Sequence, residues 1–230
     1  MNILALDTST EFLSLALQFR GRVYARHLHA GQSHSQRILP LLRELLDEAG
    51  AGMQDLQGIA FGAGPGSFTG LRIGCGVAQG LAFGANLPVI GISTLLALAE
   101  ASGHTHVIAC LDARMGEVYH AAYVREGAGW QTLVAPGLHK PDAVPAVEGG
   151  GWTGVGSGWA AYGEQLAAQY GQQVGLVMAE RFPEARAMLT LALPLFAEGL
   201  GSPAAEAAPI YIRNRVALKT SEREAGQKFG

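Results

Sequence analysis

The chain of 230 residues holds only two cysteines, Cys75 and Cys110, too few for a disulfide framework. Both stand in apolar stretches, as small core residues of a reduced, cytoplasmic protein would. Charge is also sparse: 15% of the residues are Asp, Glu, Lys or Arg, and the net charge is −3. A disordered chain would be rich in charge and poor in apolar residues, whereas 49% here are hydrophobic. A general polyanion binder would be basic. No apolar run approaches the ~18–20 residues that span a bilayer. The opening MNILALDTST has neither a basic region nor a long apolar core, so no secretory signal is expected.

Several chemistries lack their signatures. The loop Gly62–Gly70 has no Lys-Ser or Lys-Thr after it and is not a P-loop. The G-x-G-x-x-G pattern fails there too, because Gly64 and Gly66 are followed by Thr69. The nucleophile pattern G-x-S-x-G is missing, since Gly31-Gln32-Ser33-His34-Ser35 ends in serine. His27 and His29 share a strand face, as His104 and His106 could, but zinc takes three or four ligands and none stands at a supporting spacing. No metal and no catalytic residue is therefore assigned.

What is abundant is glycine, 32 residues. The apolar run Asn2–Leu6 predicts a buried strand, Asp7-Thr8-Ser9-Thr10 a polar turn, and Phe12–Phe19 and Val23–His29 two further strands of a meander. A helix is expected over Ser35–Ala49, closed by Gly50, and a second over Ser67–Phe83 after a short strand at Leu56–Phe61. Val89–Ile92 reads as a strand, followed by a helix capped by Ser93 or Thr94. His106–Leu111, Asp112 and Glu117–Val124 then repeat the opening strand–Asp–turn–strand unit 105 positions on, which points to two lobes of related design. Residues 125–158 read as short strands and loops, and Trp159–Tyr170 and Glu184–Gly199 as helices.

The loop Gly62–Gly70 follows a strand and opens a helix, so a mononucleotide cradle and a tight, closely packed turn both fit it. Asp7 and Asp112 end buried strands; each could hold Mg²⁺ through water, or simply close an Asx-turn, which is the simpler reading. Gly66, Gly70 and Gly74 recur every four residues, as do Gly76, Gly80 and Gly84. Interior glycines cost about 0.5–1 kcal/mol each relative to alanine, so a close crossing within this chain or against a partner should offset them. The end of the chain carries Arg213, Arg215, Lys219, Arg223 and Lys228 against Glu222 and Glu224, a local +3.

These residues include a set that resembles one family. ILALDTS (3–9), HSQRILPLL (34–42), GPGSFTGLRIG (64–74), Ile90-Gly91-Ile92-Ser93-Thr94-Leu95, LDARMGEVY (111–119) and PIYIRNRVALK (209–219) resemble the TsaB (YeaZ) family of bacterial tRNA threonylcarbamoyladenosine biosynthesis. GPGSFTGLRIG is shared in part with the larger paralogue TsaD; the LDARMGEVY segment and the short length point to TsaB.

The resemblance implies an α/β fold of the two-lobed actin, hexokinase and Hsp70 (ASKHA) type, each lobe a mixed β-sheet flanked by helices. The lobes are expected at 1–102 and 103–205, with a basic tail at 206–230. It implies a non-catalytic partner of TsaD, needed for modification of adenosine 37 in tRNAs reading ANN codons, with TsaE and tRNA in the larger complex. A homodimer is expected of the free protein, and no cofactor of its own. The partner surface is expected on the first two helices: Ile38, Leu39, Leu42, Leu45, Leu46, Gly66, Gly70, Gly74, Cys75, Val77 and Ala78. Leucine at Gly70 and Gly74 should then abolish pairing and leave the monomer folded. Arg213, Arg215 and Lys219 are expected to contact tRNA or the complex, and Asp7, Thr8, Ser9, Gly64 and Gly66 are the residues any remaining nucleotide affinity would use. The alternative is a small nucleotide-dependent hydrolase or phosphotransferase working through Asp7 and the Gly62–Gly70 loop.

Overall fold

A computed structural model describes residues 1–213. Its centre is β1 (Ile3–Asp7), in which every residue is buried. The strand is apolar throughout because both faces are covered. Leu4 and Leu6 point into one core with Ile38, Leu42 and Leu45, while Ile3 and Ala5 point into another with Met188, Leu189 and Ala192. β2 (Phe12–Phe19) pairs antiparallel with β1, and β3 (Arg22–His29) closes that edge with arginine and histidine side chains, which discourage edge-to-edge pairing. β4 (Gly58–Gly64) and β5 (Val89–Ser93) follow in parallel on the other side.

Three helices connect these strands to the next lobe. α1 (His34–Ala49) ends where Gly50 takes φ 63°, as a C-cap glycine does. Pro40 stands inside it, exposed, rather than in the first turn. α2 (Phe68–Ala85) is capped by Ser67, whose Oγ accepts from the Gly70 amide at 3.3 Å. α3 (Thr94–Ser102) is capped in the same way by Ser93.

The second lobe repeats the first strand for strand. β6 (His106–Arg114), β7 (Glu117–Glu126) and β8 (Gly129–His139) form a meander, and β9 (Trp152–Val155) and β10 (Val174–Met178) add in parallel. The sheet orders are β3-β2-β1-β4-β5 and β8-β7-β6-β9-β10. α4 (Ser157–Tyr170) links β9 to β10, and α5 (Ala185–Ala197) follows. In the place of α1 this lobe has only a short 3₁₀ turn at Pro141–Ala143.

Three expectations need correction. Residues 125–158 contain the expected short strand, β9, but also one long strand, β8, in place of short pieces. It is an edge strand with a register shift opposite Val134–Gly137, which accommodates Pro136 and blurs the alternation. β10 was not foreseen; Leu176 and Val177 on it are exposed. A cut at 102/103 separates the two sheets but not the packing. α3 buries Leu95, Leu98 and Ala99 against Val107, Ala109 and Val155 of the second sheet. α5 returns to the first sheet and covers Ile3, Ala5, Ala60 and Ile90. Nor is 206–213 a separate tail: the Ile210 amide donates to the Ala63 carbonyl at 2.7 Å.

Candidate functional site

The turn after β1 turns its acid inward. Asp7 Oδ1 accepts from the Ser9 amide at 3.1 Å and the Ser9 hydroxyl at 2.8 Å, the Asx-turn pattern. Oδ2 has no partner among the described residues, and the residue is 1% exposed. Burial pushes its pKa up to about 7, against the downward pull of the Ser9 hydrogen bonds. The carboxyl fills the space a side chain at Gly62 would need.

The glycine loop is a packing device. Thr8 Oγ1 donates to the Gly70 carbonyl at 2.7 Å. A Cβ at Gly66 would lie 2.5 Å from the Ser9 carbonyl oxygen, one at Gly74 2.6 Å from Thr8 Oγ1, and one at Gly70 would collide with the Thr8 carbonyl. The first glycine stripe therefore lets α2 rest directly on the β1–β2 turn. The second lobe does likewise at Gly156-Ser157-Gly158, where side chains would strike Cys110.

A cleft of about 1040 Å³ separates the lobes. Ser9, Gly66 and Ser67 line it from one side, and Asp112, Arg114 and Ser157 from the other. Of the five nucleotide candidates, only Ser9 and Gly66 reach it; Asp7, Thr8 and Gly64 do not. Asp112 does line the cleft, but its carboxylate is held by the Arg114 amide at 2.8 Å and guanidinium at 2.9 Å. The carboxylate on which the hydrolase alternative depends, that of Asp7, is sealed away from the space where a nucleotide would sit. The histidines likewise serve packing: His27 stacks on Phe12 at 4.8 Å, and buried His34 contacts the Phe12 carbonyl at 3.2 Å.

Most of the partner-surface candidates lie inside the lobe. Ile38, Leu42, Leu45 and Leu46 of α1, and Gly70, Gly74, Cys75 and Ala78 of α2, are buried in this chain, and Gly66 is half-buried against Ser9. Their side chains and close approaches serve packing within the first lobe rather than its surface. Burial also pushes the Cys75 and Cys110 thiols up, as inert core cysteines. Only Leu39, 52% exposed, and half-buried Val77 face outward. The outward surface is that of the second glycine stripe, with Phe83 as the residue that was missed: among the described residues nothing stands within 4 Å of a would-be Cβ at Gly76, Gly80 or Gly84, and Phe83 is 78% exposed. Beyond Arg72 the helix carries no charge. Its signal was present as the second glycine stripe, with Phe83 three positions after Gly80.

Arg213 is also not free. Its side chain is 10% exposed and pairs with Glu117 at 2.8 Å while donating to the Ala113 carbonyl at 3.0 Å. The expected tRNA contacts Arg215 and Lys219 lie outside the described residues.

Two lobes with one repeated strand order, facing each other across a cleft, define the actin, hexokinase and Hsp70 class. Residues 28–218 match the family model described as TsaD, tRNA N6-adenosine threonylcarbamoyltransferase. The chain is 43% identical over 230 aligned positions to the tRNA threonylcarbamoyladenosine biosynthesis protein TsaB of Escherichia coli, covering 95% of this chain and 97% of that one. It is 40% identical to the TsaB of Haemophilus influenzae, with 95% and 96% covered. Among solved structures, YeaZ from Pseudomonas aeruginosa superposes with a TM-score of 0.83 at 39% identity, covering 91% of this chain and 99% of that one. The chain belongs to the TsaB (YeaZ) family, the smaller branch of the TsaD-type proteins.

Proposed function

We propose that this chain acts in the formation of threonylcarbamoyladenosine in tRNA, as a cytoplasmic, non-catalytic partner of a TsaD-type transferase. The relatives that carry the pathway in their names are similar along nearly their whole length. The observation that carries the partner role is the bare outer face of α2, uncharged past Arg72, with three exposed glycines and Phe83. An apolar patch of this kind marks an interaction site, and glycines let a second helix come close. Leu39 on α1 is a further exposed apolar side chain. The same face would serve a homodimer of the free protein, with TsaE and tRNA joining the heterodimer.

The transfer chemistry stays with the partner. No second histidine stands one helical turn after His34, where Ile38 is 1% exposed in the core. On this reading the chain supplies neither acid, base nor cofactor of its own, and Asp7, turned away from the cleft, is in line with it.

The test is threonylcarbamoyladenosine formation by purified TsaD, TsaE, tRNA and the activated threonylcarbamoyl donor, with and without this chain. Product only in its presence supports the reading. Full product without it, or none with matched partners, overturns it. For the surface, Gly80→Arg should keep or slightly raise the melting temperature of the chain, since no described residue stands within 4 Å there and arginine favours a helix over glycine, and should abolish co-elution with TsaD. Co-elution equal to that of the native chain would move the interface elsewhere.

A further inference from the structure

Four consecutive residues cross the cleft and bind both lobes. The Ile210 amide donates to the Ala63 carbonyl of β4 at 2.7 Å. The Tyr211 hydroxyl accepts from Arg72 Nε of α2 at 2.9 Å, and the Tyr211 ring lies 5.4 Å from that of Phe68. The Arg72 guanidinium stands 3.6 Å from the centre of the Phe68 ring. These contacts belong to the first lobe. Ile212, half-buried, then packs against the core of the second lobe. Arg213 reaches the β6–β7 turn, donating to the Ala113 carbonyl at 3.0 Å and pairing with Glu117 at 2.8 Å.

We infer that Ile210–Arg213 is a strap that holds the two lobes at one fixed opening, with the Arg213–Glu117 ion pair as its latch. The physical case is one of levers. On their buried side the lobes are joined where α3 packs against α5. Rotation about that contact would open or close the cleft. The strap lines the cleft and is anchored on both sides of it, so rotation in either direction must break its hydrogen bonds or pull Ile212 from its core. The Arg213 side chain is 10% exposed and that of Glu117 28%, so water screens the pair only in part, and parting the lobes also costs Arg213 its bond to the Ala113 carbonyl. The strap makes the chain a rigid body in which the cleft is held, not worked.

The inference does not depend on the pathway assignment, and its test reads geometry alone. Spin labels at Glu44 of α1 and Gln165 of α4, both exposed, report the distance between lobes by double electron–electron resonance, in a background of Cys75→Ala and Cys110→Ala. The chain with its strap intact should give one narrow distance. Arg213→Ala should broaden it or add a second distance, and the amides of Ala113–Gly116 should exchange about tenfold faster or more, as expected when a local opening becomes easier. If Arg213→Ala does not fold, Glu117→Gln decides, because it keeps the shape and removes the charge. A broad distribution with the strap intact, or a folded latch variant with the same narrow distribution, would overturn the strap.

Discussion

The two glycine stripes of α2 share a spacing and differ in cause. Gly66, Gly70 and Gly74 lie against the β1–β2 turn, where side chains would strike Ser9 and Thr8. Gly76, Gly80 and Gly84 look outward on nothing. In the first stripe the conformational cost of glycine is offset within the chain, by close approach and by the Thr8–Gly70 hydrogen bond. In the second nothing among the described residues offsets it. A periodic run of small residues therefore says that a surface is smooth, and only what lies against it says why.

The sharpest break of this comparison is Gly70→Leu. A Cβ there collides with a backbone carbonyl of the central strand's turn, which cannot move aside as a side chain can. The variant should lose the cooperative melt of the chain by circular dichroism. This replaces the expectation that leucine at Gly70 and Gly74 would spare the monomer; a native-like melt would return the first stripe to the surface.

A smaller effect concerns the acid beneath the same stripe. Asp7 has a folded pKa of about 7, raised by burial from 3.8. The native state then binds more protons than the unfolded state between those values, so stability is full below pH 4 and falls as the pH rises to 7. The shift corresponds to about 4 kcal/mol at about 1.4 kcal/mol per pKa unit. Asp7→Asn should flatten this response, and its urea midpoint should exceed that of the native chain at pH 8 but not at pH 4. Equal midpoint shifts at both pH values would show that the carboxyl is not the titrating group.

The smallest effect sharpens the other side. Gly80→Ala adds a methyl group into open space on a helix, and should raise stability by about 0.5–1 kcal/mol in urea unfolding. Destabilisation would mean that the bare stripe is used inside this chain after all.

Much of the fold was legible because local rules and tertiary needs agreed. The apolar run at Ile3–Leu6, the caps at Gly50 and Ser93, and the strand–Asp–turn repeat at Asp7 and Asp112 all appear where expected. β8 and β10 were missed because exposed strands bury too little to show a period. The site was less legible. The spacing of Ile38, Leu42 and Leu45 announces an apolar helix face without naming its neighbour, and the neighbour is the chain's own sheet. Arg213 reads as one cation of a basic end, yet its partner Glu117 stands 96 positions earlier, at 2.8 Å.

By itself the sequence determined the family, the duplicated plan and the helix boundaries, since these rest on motifs, caps and short-range periodicity. Only the tertiary structure decided which glycines are covered, that α5 crosses back to the first sheet, that Asp7 faces inward and that residues 210–213 bind both lobes. Those are contacts between distant segments. Their chemistry is written in the residues, but their pairing is set by which surfaces the packed sheets leave free.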